Sequence, residues 1–361
     1  MKQVALKDIC SKDSSSLKQK ELLETGAYPV YGASGIAGYL NSYHQENEYI
    51  GIVKDGSGIG RVSFYPKKTS LIGTMQYILP KNGYNIRYIG YCLQSLDLSK
   101  YKQGAAIPHI YFRDYGERKV NVTDDLKEQQ RIVSRLDSAF AHIDELKANA
   151  EKQLGEARAL FQKALAKAME PKEGWEEKTL GEVAVFSQGI QVDVNLQTEK
   201  CSPDKVRFLR IIDVTQGNVP PRYIDDPGER YYLKSDEIAM VRYGTVGYVC
   251  YGFEGVIANN LFKISIKDKS KLQSNYLQFY LKSNLFQSHI RKGVGGAALP
   301  AIKFGDIKNL LLGVPPLSEQ QRIVARLDAL SDHVKALEEN QRKVIAECDA
   351  LKQALLRKVF E

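Results

Sequence analysis

The chain has 361 residues, 43% of them hydrophobic and 26% charged, with a formal net charge of +8 and a sequence pI of about 9.0. That balance supplies two or three cored domains and excludes a charge-dominated disordered chain. No apolar run is long enough to cross a bilayer, and MKQVALKDICSKD lacks the shape of a leader; with an odd number of scattered cysteines, no disulfide frame and no zinc site, a cytoplasmic protein with no membrane partner is expected.

In chain order, YIGIV (Tyr49–Val53) and RVSFY (Arg61–Tyr65) read as short strands, β-branched and aromatic between glycines and Pro66. KDGSGIG (54–60) between them reads as a hairpin turn. It joins two strands and precedes no helix, so it fails the context test for a dinucleotide loop. NIRYIGYCLQSL (85–96) reads as a helix, and residues 102–122 as a glycine loop and strands leading into residues 126–170. Pro171–Gly174 closes that segment. In the next one VRFLRIIDV (206–214) and EIAMVRY (237–243) are strand-like, RYGTVGY (242–248) matches KDGSGIG in kind, and YLQFYLKS (276–283) reads as a helix.

The chain is a duplication. LKEQQRIVSRLD (126–137) returns as LSEQQRIVARLD (317–328), differing only at Lys127/Ser318 and Ser134/Ala325. Ahead of the two copies, Gly104/Gly296, Ala105/Ala297, Ala106/Ala298, Pro108/Pro300, Ile110/Ile302, Phe112/Phe304 and Asp114/Asp306 coincide at one offset. The spacing is far too long for a solenoid, so the unit of duplication is a domain plus a helix. The division expected is 1–125, a globular domain; 126–170, a central helix; 171–316, a second domain; and 317–361, a C-terminal helix.

Both helices carry apolar residues in steps of three and four, from Ile132 through Leu146 to Ala168 and from Ile323 through Val344 and Leu351 to Val359. Ser318 with Gln321 is expected to form a capping box. About 45 residues at about 1.5 Å each make a rod of roughly 68 Å. A single apolar stripe of that length needs a partner, and the other helix of the chain can supply it. The stripe alone leaves the pairing parallel or antiparallel.

Catalytic sets are missing. There is no Walker A loop, no Asn/Asp-Pro-Pro-aromatic run, and no spaced acidic–x–Lys partner for Pro203–Asp204. The charge surplus sits in the globular segments, with 16 basic against 12 acidic residues over 1–125 and 19 against 16 over 171–316, which suits a polyanion. Glycine-rich loops carrying Tyr, Arg, Lys, Gln and Ser can approach base edges and phosphates.

The paired LxEQQRIVxRLD runs, the GAAIPHI and GAALPAI stretches ahead of them and FLRIIDV (208–214) resemble the specificity subunits of type I restriction–modification systems, over essentially the whole chain. The resemblance implies duplicated α/β (α+β) target-recognition domains joined by two long helices that form an antiparallel coiled coil. It implies that each domain reads one half of an asymmetric double-stranded DNA target. The helices would act as a ruler and dock two methyltransferase subunits, through which restriction/translocase subunits join. It implies a non-catalytic chain with no cofactor of its own, S-adenosylmethionine, ATP and Mg belonging to partner subunits. A two-domain coiled-coil adaptor without DNA readout is the alternative.

On that reading the DNA contacts expected in the first domain are Lys54, Ser57 and Arg61 on the hairpin, with Lys102, Gln103 and His109 beside it. In the second they are Gln188, Gln191, Arg242, Tyr243, Thr245, Arg291 and Lys292. Helix pairing and partner docking are expected from Gln129, Gln130, Ile132, Leu136, Phe140 and Ile143, and from Gln320, Gln321, Ile323, Leu327, Leu330 and Val334.

Overall fold

A computed structural model describes residues 1–104, 108–293 and 301–360. It divides into two compact units, Met1–Lys152 with Gln341–Glu361, and Gln153–Asn340. Two 44-residue helices, Leu126–Met169 and Leu317–Phe360, each contribute to both units.

The first unit opens with strand Lys2–Ala5, paired antiparallel with Lys119–Val122, the strand that feeds the central helix. A four-stranded antiparallel sheet has the order Cys10–Ser14, Met75–Pro80, Tyr49–Val53, Val62–Tyr65. Strands Gly35–Leu40, Tyr28–Gly32 and Ser70–Leu71 form a second sheet. Helix Ile86–Ser95 starts at Asn85, whose side chain accepts from the N–H groups of Arg87 and Tyr88. It packs so closely on the first sheet that a Cβ at Gly90 would lie 2.1 Å from the Phe64 ring, so any larger residue would have to displace that ring.

The second unit repeats the plan. Strand Glu176–Thr179 pairs with Leu311–Val314, and the four-stranded sheet runs Ala184–Gln188, Leu261–Ile266, Ile238–Val241, Val249–Tyr251. A further sheet orders Arg222–Asp225, Lys205–Leu209, Gly255–Ile257 and Tyr232–Leu233. Helix Ser274–Lys282 matches Ile86–Ser95, but a second helix, Asn284–Gly293, follows it directly.

Each core draws on both long helices. In the first unit Val133 and Leu136 of the central helix are buried with Leu356 and Phe360 of the C-terminal helix. In the second, Val324 and Leu327 are buried with Leu165 and Met169. Within the first unit Lys147 pairs with Asp349 at 2.8 Å and Asp144 with Lys352. Three residues forward on one helix are three residues back on the other, so this stretch is antiparallel. In the second unit Arg158 pairs with Glu338 at 2.6 Å.

Four local expectations are corrected. Residues 206–214 are not one strand: the strand ends at Leu209 and Ile211–Thr215 is helical, because Asp213 turns back to accept from the backbone N–H of Arg210 at 2.9 Å. Phe112–Tyr115 is likewise a helical turn rather than strand. The capping box does not form from Ser318, since the helix already begins at Leu317 and the Pro316 carbonyl accepts from Glu319 and Gln320. The stripe is also narrower than its sequence. Leu136, Ile143 and Ala150, seven residues apart, are buried, whereas Leu146, Val344 and Leu351 are 57%, 37% and 49% exposed. Pairing with one helix buries a seam at heptad spacing, not the broad face that a globule covers. The stretches containing Ala105, Ala106, Gly296, Ala297, Ala298 and Pro300 lie outside the described residues.

Candidate nucleic-acid interface

In the first unit, strands Tyr49–Val53 and Val62–Tyr65 are joined by a glycine turn. Gly60 N–H donates to the Val53 carbonyl and Val53 N–H to that of Arg61. Pro108 and Ile110 pack alongside, with Ile110 N–H donating to the Lys54 carbonyl at 2.9 Å and Gly56 N–H to that of Pro108 at 3.1 Å. The second unit repeats this frame. Gly247 N–H donates to Val241, Val241 N–H to Tyr248, and Ile302 N–H to the Arg242 carbonyl at 3.2 Å. Lys54 and Arg242, Asp55 and Tyr243, Ser57 and Thr245, and Arg61 and Tyr248 therefore stand at corresponding places. So do His109 and Ala301, bridged to Asp55 and Tyr243 respectively.

What the frame carries differs between the units. In the first, His109 Nδ1 lies 2.6 Å from Asp55 Oδ1, and the imidazole stacks on Tyr111 at 6.2 Å between centroids. Gln103 exchanges two 2.8 Å backbone bonds with His109 and donates its side-chain amide to Asp114. Lys102 and Ser57 are exposed, and Lys54 is half-buried with its ammonium 4.0 Å from Asp55. Arg61 is exposed and donates to the Ala33 carbonyl. Lys54, Gln103 and His109 are thus gathered on one side of the turn, with Lys102 next to Gln103.

In the second unit Arg242 lies over the ring of Tyr243 at 5.0 Å and donates Nε–H to the Ile302 carbonyl at 3.0 Å. Tyr243, Thr245 and Gln191 are exposed; Gln188 is half-buried and donates to the Asn259 carbonyl. Arg291 and Lys292 are exposed in the last turn of helix Asn284–Gly293. That helix meets the hairpin where Gln287 donates to the Gly247 carbonyl at 2.9 Å.

Sequence reasoning passed over Asp55, Tyr111 and Arg113, whose guanidinium stands 4.6 Å above the Tyr111 ring. The polar DG turn step at 55–56 and the aromatic–basic alternation of 111–113 were the available signals.

The residues expected to pair helices or dock partners divide into several kinds. Gln129 and Gln320 are fully buried, so they offer nothing to a partner. Gln129 accepts from Asn85 N–H and donates to the Gly83 and Thr123 carbonyls. Gln320 accepts from Gln273 N–H and donates to the Lys271 and Pro315 carbonyls. Gln130 and Gln321 are exposed. Ile132, Leu136 and Phe140 pack into the first core, and Ile323 and Leu327 into the second. Ile143 lies in the seam.

Leu330 and Val334 line a groove of about 420 Å³ with Leu160, His333 and Leu337. In it Leu160 stays 59% exposed. The sequence-equivalent positions in the first unit are Ala139, Ile143, Leu351, His142 and Leu146, where Leu351, the counterpart of Leu160, and Leu146 are exposed.

Among the described residues no helix is long and apolar enough to cross a membrane. None of their His, Cys, Asp and Glu side chains form a group that could hold a metal ion.

The sequence model of the family described as the type I restriction modification DNA specificity domain matches residues 1–156 and 172–347. The type I restriction enzyme EcoBI specificity subunit of Escherichia coli is 22% identical over 65% of this chain and 56% of its own length. The MjaVIII specificity subunit of Methanocaldococcus jannaschii is 23% identical over 83% of this chain and 76% of its own. The chain therefore spans about half the length of the first of these relatives. A solved structure concerning complex assembly and conformational transition of the type I R-M system has the same fold. Its TM-score is 0.76 at 18% identity, over 99% of this chain and 96% of that one.

Proposed function

Because the chain belongs to the type I restriction modification DNA specificity family, we propose that it is the non-catalytic specificity subunit of such a system, each unit reading one half of an asymmetric double-stranded DNA target. The observation that carries this reading is the repeated hairpin frame. The same backbone hydrogen bonds recur in both units, while Asp55 and His109 in one stand where Tyr243 and Ala301 stand in the other. A shared frame with different polar side chains suits two readers of different sequences.

In the first half-site the contacts are Lys54, Ser57, Lys102, Gln103 and His109, with Arg61 on the far flank of the turn. In the second they are Arg242, Tyr243, Thr245, Gln191, Arg291 and Lys292, with Gln188 supporting the loop. Arg242 Nε is already committed to Ile302, which leaves its terminal amino groups as a fork for a guanine edge.

The partners are two methyltransferase subunits, and restriction/translocase subunits through them. S-adenosylmethionine, ATP and Mg bind to those partners, and this chain holds none of them. An exposed leucine that recurs at equivalent positions, Leu160 in one unit and Leu351 in the other, favours two copies of one partner over two different partners. The long helices, which contribute to both units, fix the gap between half-sites.

The test is DNA binding with and without a methyltransferase partner. The expected result is salt-dependent, sequence-selective binding by the complex and no methyl transfer by the chain alone. A complex that assembles but ignores DNA sequence would leave the adaptor reading instead.

A further inference from the structure

We propose that the first unit, and not the second, has a phosphate-binding recess built partly by the end of the C-terminal helix. A recess of about 250 Å³ is lined by Asp97, Lys100, Arg118 and Arg357, among others. It shares Asp97 and Arg357 with a neighbouring recess of about 480 Å³ that reaches Arg61 on the hairpin. Three cations thus line the smaller recess with one carboxylate, and a fourth, Arg61, lines the adjoining one. Asp97 is itself engaged, accepting from Ser99 N–H and lying 3.9 Å from the Lys100 ammonium. Among the described residues no carboxylate is paired with Arg118 or Arg357. The helix dipole favours a cation in the last turn, but Lys358 serves that purpose equally and does not line the recess.

The second unit supplies the control. The Arg118 carbonyl accepts from Leu6 N–H as the Leu310 carbonyl accepts from Leu180 N–H, both at 3.0 Å, so Leu310 holds the place of Arg118. Leu356 and Leu165 are buried at equivalent helix positions, which sets Ala166 in the place of Arg357. Tyr248 holds the place of Arg61, and helix Asn284–Gly293 replaces the short turn Leu98–Tyr101 that carries Lys100. All four cations are absent from the copy, where the fold is kept around the places of Arg61, Arg118 and Arg357 and differs at that of Lys100. Guanidinium groups of this kind, forked and always charged, match phosphate oxygens.

The phosphate belongs either to the DNA backbone flanking the first half-site or to a free phosphate compound. The DNA source rests on the function proposed above, and the adjoining hairpin favours it. The variants Arg118→Leu and Arg357→Ala install the residues that the second unit already tolerates, and Lys100→Gln alters an exposed turn. The assembled complex is titrated with target and scrambled DNA across a range of salt, and the chain alone with inorganic phosphate and pyrophosphate. If DNA is the source, each arginine variant weakens binding to both DNAs alike and flattens the slope of log K against log salt by about 0.9. If a free phosphate is the source, the DNA slope stays as in the wild type while phosphate or pyrophosphate binding to the chain is lost. A wild-type slope together with no phosphate binding that the variants change would overturn the recess. Failure of the wild-type complex to bind DNA at all would count against the DNA-reading function, and the phosphate arm would still decide the recess.

Discussion

Gln129 and Gln320 hold the same place in two folding units, each amide fully buried and each making the same three hydrogen bonds to its own domain. Each fastens the first turn of a long helix to the loop ahead of a shorter one. Replacing either with alanine strands one backbone donor and two acceptors, at about 1–3 kcal/mol for a buried group left unsatisfied. Gln320→Ala should lower the urea midpoint followed by fluorescence of Trp175, the single tryptophan, which hydrogen-bonds Glu319 in the same unit. Gln129→Ala should lower the midpoint followed by circular dichroism. Gln320→Glu should cost more than Gln320→Ala, since a carboxylate cannot donate to the Lys271 and Pro315 carbonyls.

This pair also marks what the sequence could reveal. The near-identity of 126–137 and 317–328 disclosed the duplication and both long helices, because a repeat and an apolar period are visible in one dimension. The job of Gln129 was not visible, since a glutamine at the start of a helix reads as a surface residue until its partners, 44 and 46 residues away, are placed. In the same way the DG step at Asp55 gave the turn, but not the bond to His109, 54 residues on. The exposure of Leu146 and Leu351 was illegible for a different reason: periodicity shows which face is apolar, not how much of that face a partner covers.

Asp213 gives the second unit an acid-sensitive clasp. Its side chain is 1% exposed, between Arg207 at 2.7 Å and Arg210 at 2.7 Å. Burial pushes the carboxyl upward, but the hydrogen bonds from Arg210 and Arg207 outweigh it and hold it below the ordinary aspartate range. A folded value below the unfolded one contributes stability above the unfolded value, near 3.8, and loses it as pH falls through the folded value. Asp213→Asn should therefore be less stable than the wild type at pH 7, and the difference should close under acid. Urea midpoints by Trp175 fluorescence across that range measure it.

Lys54 and Arg242 share one backbone position, so their alanine variants should fail on different DNA. Lys54→Ala should lose discrimination in the first half-site only, and Arg242→Ala in the second only, each by about 1–3 kcal/mol. Competition binding by the assembled complex, with one half-site scrambled at a time, separates them. An equal loss on target and scrambled DNA would make the residue a phosphate contact.

Leu160 and Leu351 should each serve one methyltransferase copy. A charge placed in an apolar contact must be desolvated without a partner, which disfavours binding. Native mass spectrometry should find two copies on the wild type, one on Leu160→Glu or Leu351→Glu, and none on the double variant. Two copies on the double variant would place docking elsewhere.

Most direct of all is methylation mapping of DNA modified by the assembled wild-type complex. Two units with the same frame and different side chains should yield two different short sequences separated by a fixed, unspecified gap. A contiguous palindrome, or methylation without sequence preference, would contradict the assignment of one half-site to each unit.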